Sequence, residues 1–309
     1  MFTFSKEQRI VDINGIRFGG QPGETPTVLL GTVMYGKKYN DLTVERLSEV
    51  EGFIQKQKEM SDMTGNPNII DVFINKKVNV EKRLSPVLDI IENKDVISID
   101  IPESDVRVEA LKYLHDSGEL KRVIYNSINL GITEEEREAL KTYTPEAAVV
   151  LGYNPKDMSA DGRINMITSG GGMLDKGLMD IAIESGIDKV LVDTGATPFD
   201  HSAAETIRAI PVAKNEFGLP VGCAIHNLVE SWLWMKKYAK NHKTEYLISD
   251  VASNGFVTLY GGDYVFYGPI RMSPYIFPYI GMTDKIVAEG TWDYFGIKTP
   301  PEHPRWKLP

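Results

Sequence analysis

The sequence predicts a closed (β/α)8 barrel. Short β-rich apolar runs alternate with amphipathic helical stretches along the 309 residues, and there are eight such runs. Most are continuous rather than alternating, the pattern of parallel strands covered on both faces. Eight strand–helix units over about 250 residues is the usual span of a barrel of this type. A doubly wound open sheet is the competing arrangement with the same alternation.

The units follow in order. TVLLGTV (27–33) precedes the helical stretch VERLSEVEGFIQKQKEM (44–60), and NIIDVFI (68–74) precedes VEKRLSPVLDIIEN (80–93). DVISIDI (95–101) leads into SDVRVEALKYLHDSG (104–118), where Ser104 reads as the N-cap and Gly118 as the stop. RVIYNSI (122–128) leads into TEEEREALKTY (133–143), capped by Thr133. AAVVLGY (147–153) and KVLVDTG (189–195) lead into GMLDKGLMDIAIESG (172–186) and SAAETIRAIPVAKNEFG (202–218), which end on Gly186 and Gly218. PVGCAIH (220–226) is followed by two stretches, LVESWLWMKKYAK (228–240) and EYLISDVASNGFVTLYG (245–261), before the last run, YVFYGPI (264–270). No linker interrupts the series, so residues 1–309 read as one domain, and TPPEHPRWKLP as a short C-terminal tail packed on the surface.

Composition narrows the function. With 42% hydrophobic and 25% charged residues the chain has ordinary globular make-up, and a net charge of −9 disfavours nucleic acid or anionic membrane as the main partner. No apolar run approaches the ~20 residues of a membrane span. The opening MFTFSKEQRIVDING places charges where a signal peptide is apolar, so cytoplasmic residence is expected. Cys223 is the only cysteine, and the five histidines are scattered without metal-ligand spacing, so no metal is expected on this chain.

In such a barrel the active site lies at the C-terminal ends of the strands. Those run ends supply Asp71 with Asn75, Asp100, Asn126 with Asn129, Asn154, Asp193, and His226 with Asn227. An Asp or Asn after a strand usually caps a helix or makes a turn, which is the reading for Asp41 and Asp105. Asp71, Asp100 and Asp193 instead sit inside apolar runs, where an unpaired carboxylate is costly. Six consecutive units thus offer a carboxylate or carboxamide at one edge, a ring suited to a ligand rich in N–H groups. There is no phosphate-binding loop of the G-x-x-x-x-G-K-[ST] type and no G-x-S-x-G elbow. SGGG (169–172) reads as a turn before a helix, and Trp232 and Trp234 as helix packing.

The segments GGQPGETPTVLLGTVMY, EMSDMTGNPNIIDVF, VIYNSIN, VVLGYNP, LVDTGATP, GLPVGCAIHN and YGPI recur in one order. Together, over nearly the whole chain, they resemble the H-subunit family of tetrahydromethanopterin S-methyltransferase. That family includes stand-alone bacterial members that methylate tetrahydrofolate from a corrinoid protein in glycine-betaine demethylation. More remotely, the strand-end residues look like those of dihydropteroate synthases and other pterin-binding barrels. The resemblance implies a methyltransferase acting between a methylated corrinoid protein and N5 of a reduced pterin. It implies a pterin pocket lined by Asp71, Asp100, Asn126, Asn154 and Asp193, with Asn227 as the catalytic residue beside N5, and a homodimer. One segment departs: Asp100-Ile101-Pro102 stands where the archaeal subunits continue with Ser-Thr, which turns the expectation towards tetrahydrofolate as the methyl acceptor and a free-standing enzyme. The cobalamin is expected on a separate corrinoid protein, because the D-x-H-x-x-G loop of corrinoid carriers is absent: Tyr113 occupies the aspartate's place before His115 and Gly118.

The residue types suit this chemistry. The pyrimidine edge of a pterin presents an N–H and an amino group side by side, which one carboxylate accepts together, while an asparagine complements the neighbouring carbonyl. Positive charge develops on N5 as it is methylated, and an amide aimed there offers an acceptor; in reverse, with N5 protonated, it serves again. Two rival readings share the fold. A dihydropteroate-synthase-like condensation requires basic strand ends to handle pyrophosphate, and these are acidic and amidic. A non-catalytic pterin-binding subunit of a larger complex would use the same ring, as would an H subunit acting on tetrahydromethanopterin.

Overall fold

In the computed structural model residues 1–75, 78–196 and 198–309 are described; Thr197, within the LVDTGATP segment, lies outside them. Two short strands, β1 (Ile10–Ile13) and β2 (Ile16–Gly19), pair antiparallel. The eight expected runs then form β3 (Val28–Val33), β4 (Asn68–Phe73), β5 (Ile97–Asp100), β6 (Val123–Ile128), β7 (Ala147–Leu151), β8 (Val190–Asp193), β9 (Val221–Cys223) and β10 (Tyr264–Pro269). All eight are parallel, and β10 returns to pair with β3, so the sheet closes into a barrel and the open-sheet alternative is excluded.

Strand parity decides what faces the barrel interior. Val28, Leu30, Ile69, Ile124, Val149 and Leu191 belong to one fully buried cluster inside it. The alternate residues, such as Leu29, Ile70, Val72 and Val192, belong to the larger layer between sheet and helices. Stepping by two up each strand from the interior set gives Thr32, Asp71, Asn126 and Asp193, and from Val96 it gives Ser98 and Asp100. The interior is therefore apolar at its base and polar at its top. The β1–β2 hairpin closes the base: Ile13 and Phe18 are fully buried in the interior cluster, and the Phe18 ring stands edge-on to Tyr264 at 6.1 Å. Its turn, Asn14-Gly15, has both residues at positive φ (48° and 88°), the conformation a tight hairpin needs.

The helices in chain order are α1 (Val44–Thr64), α2 (Val80–Ile90), α3 (Ser104–Asp116), α4 (Glu134–Thr142), α5 (Ala160–Ser169), α6 (Leu178–Glu184), α7 (Ala203–Phe217), α8 (His226–Ser231), α9 (Leu233–Tyr238), α10 (Lys243–Leu259), α11 (Ser273–Phe295) and α12 (Pro304–Lys307). Thr133 caps α4 by accepting from the Glu136 N–H, whereas Ser104 is the first residue of α3 and not its cap. SGGG ends a helix rather than preceding one: α5 starts at a Ser159 cap and stops at Gly170 in the left-handed region. The expected 228–240 helix is broken at Trp232, whose backbone is extended. Trp234 is 53% exposed, and its ring stacks on Tyr238 at 4.8 Å rather than in the core. The longest helix, α11, was not expected at all. It is anchored by buried Asp284, which accepts from Thr27 N (3.0 Å), Thr27 Oγ1 (2.7 Å) and Asn66 Nδ2 (2.5 Å) at the feet of β3 and β4. The tail is packed as expected: His303 is fully buried, and Lys285 Nζ donates to the Leu308 carbonyl at 2.8 Å. Among the described residues no helix is long and apolar enough to cross a membrane.

Candidate active site

A cavity of about 720 Å³ opens at the C-terminal ends of the strands, within the size range of small-molecule sites. Asp71, Asp100, Asn126, Asp193 and Asn227 all line it. The register explains the first four. Thr32, Asp71 and Ser98 lie side by side across β3, β4 and β5, and one step up Phe73, Asp100 and Asn126 lie side by side across β4, β5 and β6. Asp193 projects from the end of β8, two strands further on.

Burial makes these carboxyls unusually hard to ionise. Asp71 is 1% exposed; its Oδ2 accepts from Thr32 Oγ1 at 2.8 Å, while its Oδ1 has no hydrogen-bond partner among the described residues. Its pKa rises to about 6, driven by burial and tempered by the Ser98, Thr32 and Asn126 side chains, although Ser98 and Asn126 stand outside good hydrogen-bond geometry. Asp100 is pushed well above the usual carboxylate range, by burial first and by the Asp71 charge second. Asp193 rises to about 7, again by burial, against the opposing pull of the Gly195 N–H (2.6 Å to Oδ1) and the Arg163 charge. Arg163 is held in place by its own bonds to the Met158, Thr194 and Gly195 carbonyls. An orphaned carboxylate oxygen and three carboxyls of raised pKa thus meet around one cavity, an arrangement able to accept N–H donors.

Asn227 sits differently from the other four. β9 ends at Cys223, and the chain turns through Ala224 and Ile225 into α8, whose first two residues are His226 and Asn227. The Asn227 N–H closes that turn on the Ala224 carbonyl (3.0 Å), leaving its side chain exposed towards the cavity. The amide is thus held by a helix start rather than by the strand itself.

Asn154 does not join the ring. β7 ends at Leu151, and beyond it strand parity no longer applies. The Asn154 amide is 3% exposed and is used within its own loop: Oδ1 accepts from Lys156 N (3.0 Å) and Asp157 N (3.2 Å), and Nδ2 donates to the Gly162 carbonyl (2.9 Å). It is a turn anchor between β7 and α5, and it is not among the cavity residues. The Asn-Pro-Lys-Asp sequence beginning at Asn154 is the signature of such a turn.

His226, beside Asn227, is bound to two carboxylates. Its Nδ1 lies 2.7 Å from buried Asp250 on α10, and its Nε2 lies 3.5 Å from Glu230 one helical turn on. Burial pulls the imidazole pKa down, but the bonds and charges of Asp250 and Glu230 outweigh it and hold it up at about 9, so the ring is an imidazolium at neutral pH. Gly268, at φ 81°, makes room for it: a Cβ there would come 2.5 Å from His226 Cδ2. His226, Glu230, Tyr246 and Arg271 complete one side of the cavity. No local pattern could have paired His226 with Asp250, 24 residues away on another helix.

The comparisons with known proteins follow the same line. Residues 6–298 match the family model described as tetrahydromethanopterin S-methyltransferase MtrH subunit. The H subunit of tetrahydromethanopterin S-methyltransferase from Methanothermobacter thermautotrophicus is 39% identical over 313 residues, covering 100% of both chains. The H subunit of a putative mtx methyltransferase from Methanosarcina barkeri is 38% identical over 308 residues, covering 98% of both. Among solved structures the barrel resembles dihydropteroate synthases: that of Xanthomonas albilineans with 4-aminobenzoic acid (TM-score 0.61, 14% identity, 91% of this chain and 98% of that one) and that of Yersinia pestis with a pterine–sulfa conjugate (TM-score 0.60, 13% identity, 90% and 100%). At such identities these structures bear on the fold alone.

Proposed function

The chain belongs to the tetrahydromethanopterin S-methyltransferase MtrH subunit family, a family of methyltransferase subunits, and from that premise we propose that its cavity binds a reduced pterin whose N5 exchanges a methyl group with a corrinoid held by a separate protein. The observation that carries the reading is the inward-facing set Asp71, Asp100, Asn126 and Asp193 lining one cavity in adjacent layers, with the Asn227 amide also lining it. The carboxyls accept the paired N–H donors of the pterin's pyrimidine edge, and binding favours their ionised form.

The corrinoid supplies a methyl group on cobalt, whose bond breaks with its electron pair leaving on the metal. On this chain, the carboxyl ring orients the pterin so that the N5 lone pair faces the open mouth. As the new N–C bond forms, N5 becomes cationic; the Asn227 carbonyl oxygen stabilises that charge, and the N5 proton then leaves to solvent. In the reverse direction N5 is protonated first, and the same amide steadies the N–H.

The relatives whose names include a pterin are named for tetrahydromethanopterin, so that carrier is the first reading and tetrahydrofolate, preferred from the sequence, becomes the second. One observation keeps it in play: Ile101 and Pro102, the segment that departs from the archaeal pattern, both line the cavity beside Asp100. A homodimer belongs to the proposal as well, as does the docking of the methyl carrier over the barrel mouth. The test is single-turnover methyl transfer from methylcobalamin by the purified chain, with each pterin offered alone and then both in competition. Tetrahydromethanopterin is expected to be used in preference; preference for tetrahydrofolate establishes the second reading, and transfer to neither overturns the proposal.

A further inference from the structure

The carboxyl ring accounts for only part of the cavity. A cavity of about 720 Å³ suits a drug-sized ligand, more than a bicyclic ring alone, and a small neighbouring pocket shares Thr32, Tyr35, Pro269 and Arg271 with it. This rim is built by an unusual backbone. Met34, at the end of β3, is buried and stands at φ 62°, a region that costs a long side chain energy and that recurs at functional sites. The twist turns Tyr35 out over the mouth, 58% exposed, with its ring edge against Phe73 at 4.9 Å.

Beside it stands Arg271, exposed at the start of the 270s turn. Among the described residues its guanidinium makes no hydrogen bond or ion pair. The nearby carboxylate that feels its charge, Glu49, already receives Lys38 Nζ at 2.9 Å on both oxygens. The cavity thus has two chemically distinct ends: an acidic floor that accepts N–H donors, and a rim where the exposed Tyr35 ring stands near the Arg271 guanidinium.

We propose that Tyr35 and Arg271 form a second subsite, which takes the tail of the pterin carrier: an aryl ring against Tyr35 and a carboxylate or phosphate against Arg271. Guanidinium pairs with either anion in the same bidentate fashion, so the subsite reads anionic tail chemistry rather than one compound. The inference rests on the pterin reading above and adds to it the residues that distinguish a tailed carrier from a bare pterin.

The experiment compares calorimetric affinities of wild type, Arg271→Ala, Arg271→Lys and Tyr35→Ala for three probes: tetrahydromethanopterin, tetrahydrofolate and the tail-less 6-methyltetrahydropterin. Arg271→Ala is expected to weaken the tailed carriers by about tenfold, the size of one partly exposed charge-assisted contact, with Arg271→Lys recovering part of the loss. Tyr35→Ala is expected to weaken them severalfold. Neither variant changes the affinity for 6-methyltetrahydropterin, which doubles as the check that the cavity is folded. If Arg271→Ala affects only one of the tailed carriers, that carrier's anion is the one read. Equal losses on the tail-less probe, or no loss on either tailed carrier, overturn the subsite. Failure of wild type to bind all three probes overturns the pterin reading, and the subsite with it.

Discussion

Replacing Asp193 by Asn should make the ligand-free protein gain stability relative to wild type as pH rises from 5 to 8, while costing it ligand affinity. Asp193 is 5% exposed, and burial lifts its pKa from 3.8 to about 7. A carboxyl whose folded pKa lies above its unfolded one leaves stability untouched below the unfolded value; above it the unfolded chain ionises while the fold holds the group protonated, so stability falls as pH rises and levels off past the folded value. At pH 8, above both values, the wild type carries nearly the whole difference between 3.8 and about 7 as a cost of about 4 kcal/mol. At pH 5 the group is still protonated in the folded state, and the cost is about 2 kcal/mol relative to the unfolded chain. The amide has no such term and can still accept the Gly195 N–H. The stability of Asp193→Asn relative to wild type should therefore rise by about 2–3 kcal/mol between pH 5 and pH 8, and whatever fixed penalty the amide brings cancels in that difference. For 309 residues unfolding together, about 650 cal/mol/K of unfolding entropy converts this to about 4 °C in the relative Tm. Differential scanning calorimetry of both proteins at the two pH values measures it. A Tm difference that does not change with pH would show that Asp193 titrates normally and that its burial is not the source of strain.

The remaining expectations follow from the same cavity. Asp100→Ala should weaken pterin binding by about 1.5–3 kcal/mol in calorimetry, the scale of a charge-assisted hydrogen bond; an unchanged Kd would remove Asp100 from the ring. Pterin affinity should fall as pH drops from 8 to 6, because the ligand favours ionised carboxyls and Asp71 and Asp193 take up protons at about 6 and about 7 when the cavity is empty. A buffer-independent binding enthalpy at pH 7 would contradict that linkage. Asn227→Ala should lower the single-turnover methyl-transfer rate by about 10²–10³ with little change in pterin Kd, since the amide acts on charge that develops only in the transition state. A rate within a few-fold of wild type would make Asn227 a turn residue. Asn154→Ala should destabilise the fold by about 1–3 kcal/mol, because it strands the Lys156 and Asp157 N–H groups, yet leave pterin Kd unchanged in the folded protein.

The barrel was legible because its strands are buried on both faces and so are written as continuous apolar runs, which periodicity detects without knowledge of partners. The placement of four of the six candidate residues at the cavity was legible for the same reason. Asp71, Asp100, Asn126 and Asp193 lie within runs, where a polar residue must face either the interior or a helix layer. Asn154 was misplaced because it lies past the end of β7, where a turn and not the strand's pleat sets direction. The His226–Asp250 pair was invisible because it joins two helices, and α11 because eleven residues without charge, SPYIFPYIGMT, show no polar face to mark a helix. The hairpin is written locally: Asn14-Gly15 between Val11-Asp12-Ile13 and Ile16-Arg17-Phe18 is the pattern of a tight two-residue turn.

That hairpin has a kinetic meaning. With Ile13 and Phe18 buried in the base, the described residues leave the cavity open at the C-terminal ends of the strands and closed below, so that mouth is its doorway among them. If the methyl carrier is a second protein presented at that doorway, it cannot share the passage with an arriving or departing pterin. Traffic must then be single file: pterin enters first, the carrier docks second, and the pterin leaves only after the carrier has withdrawn. Steady-state kinetics would display this as compulsory order, with excess carrier slowing turnover by sealing the product in.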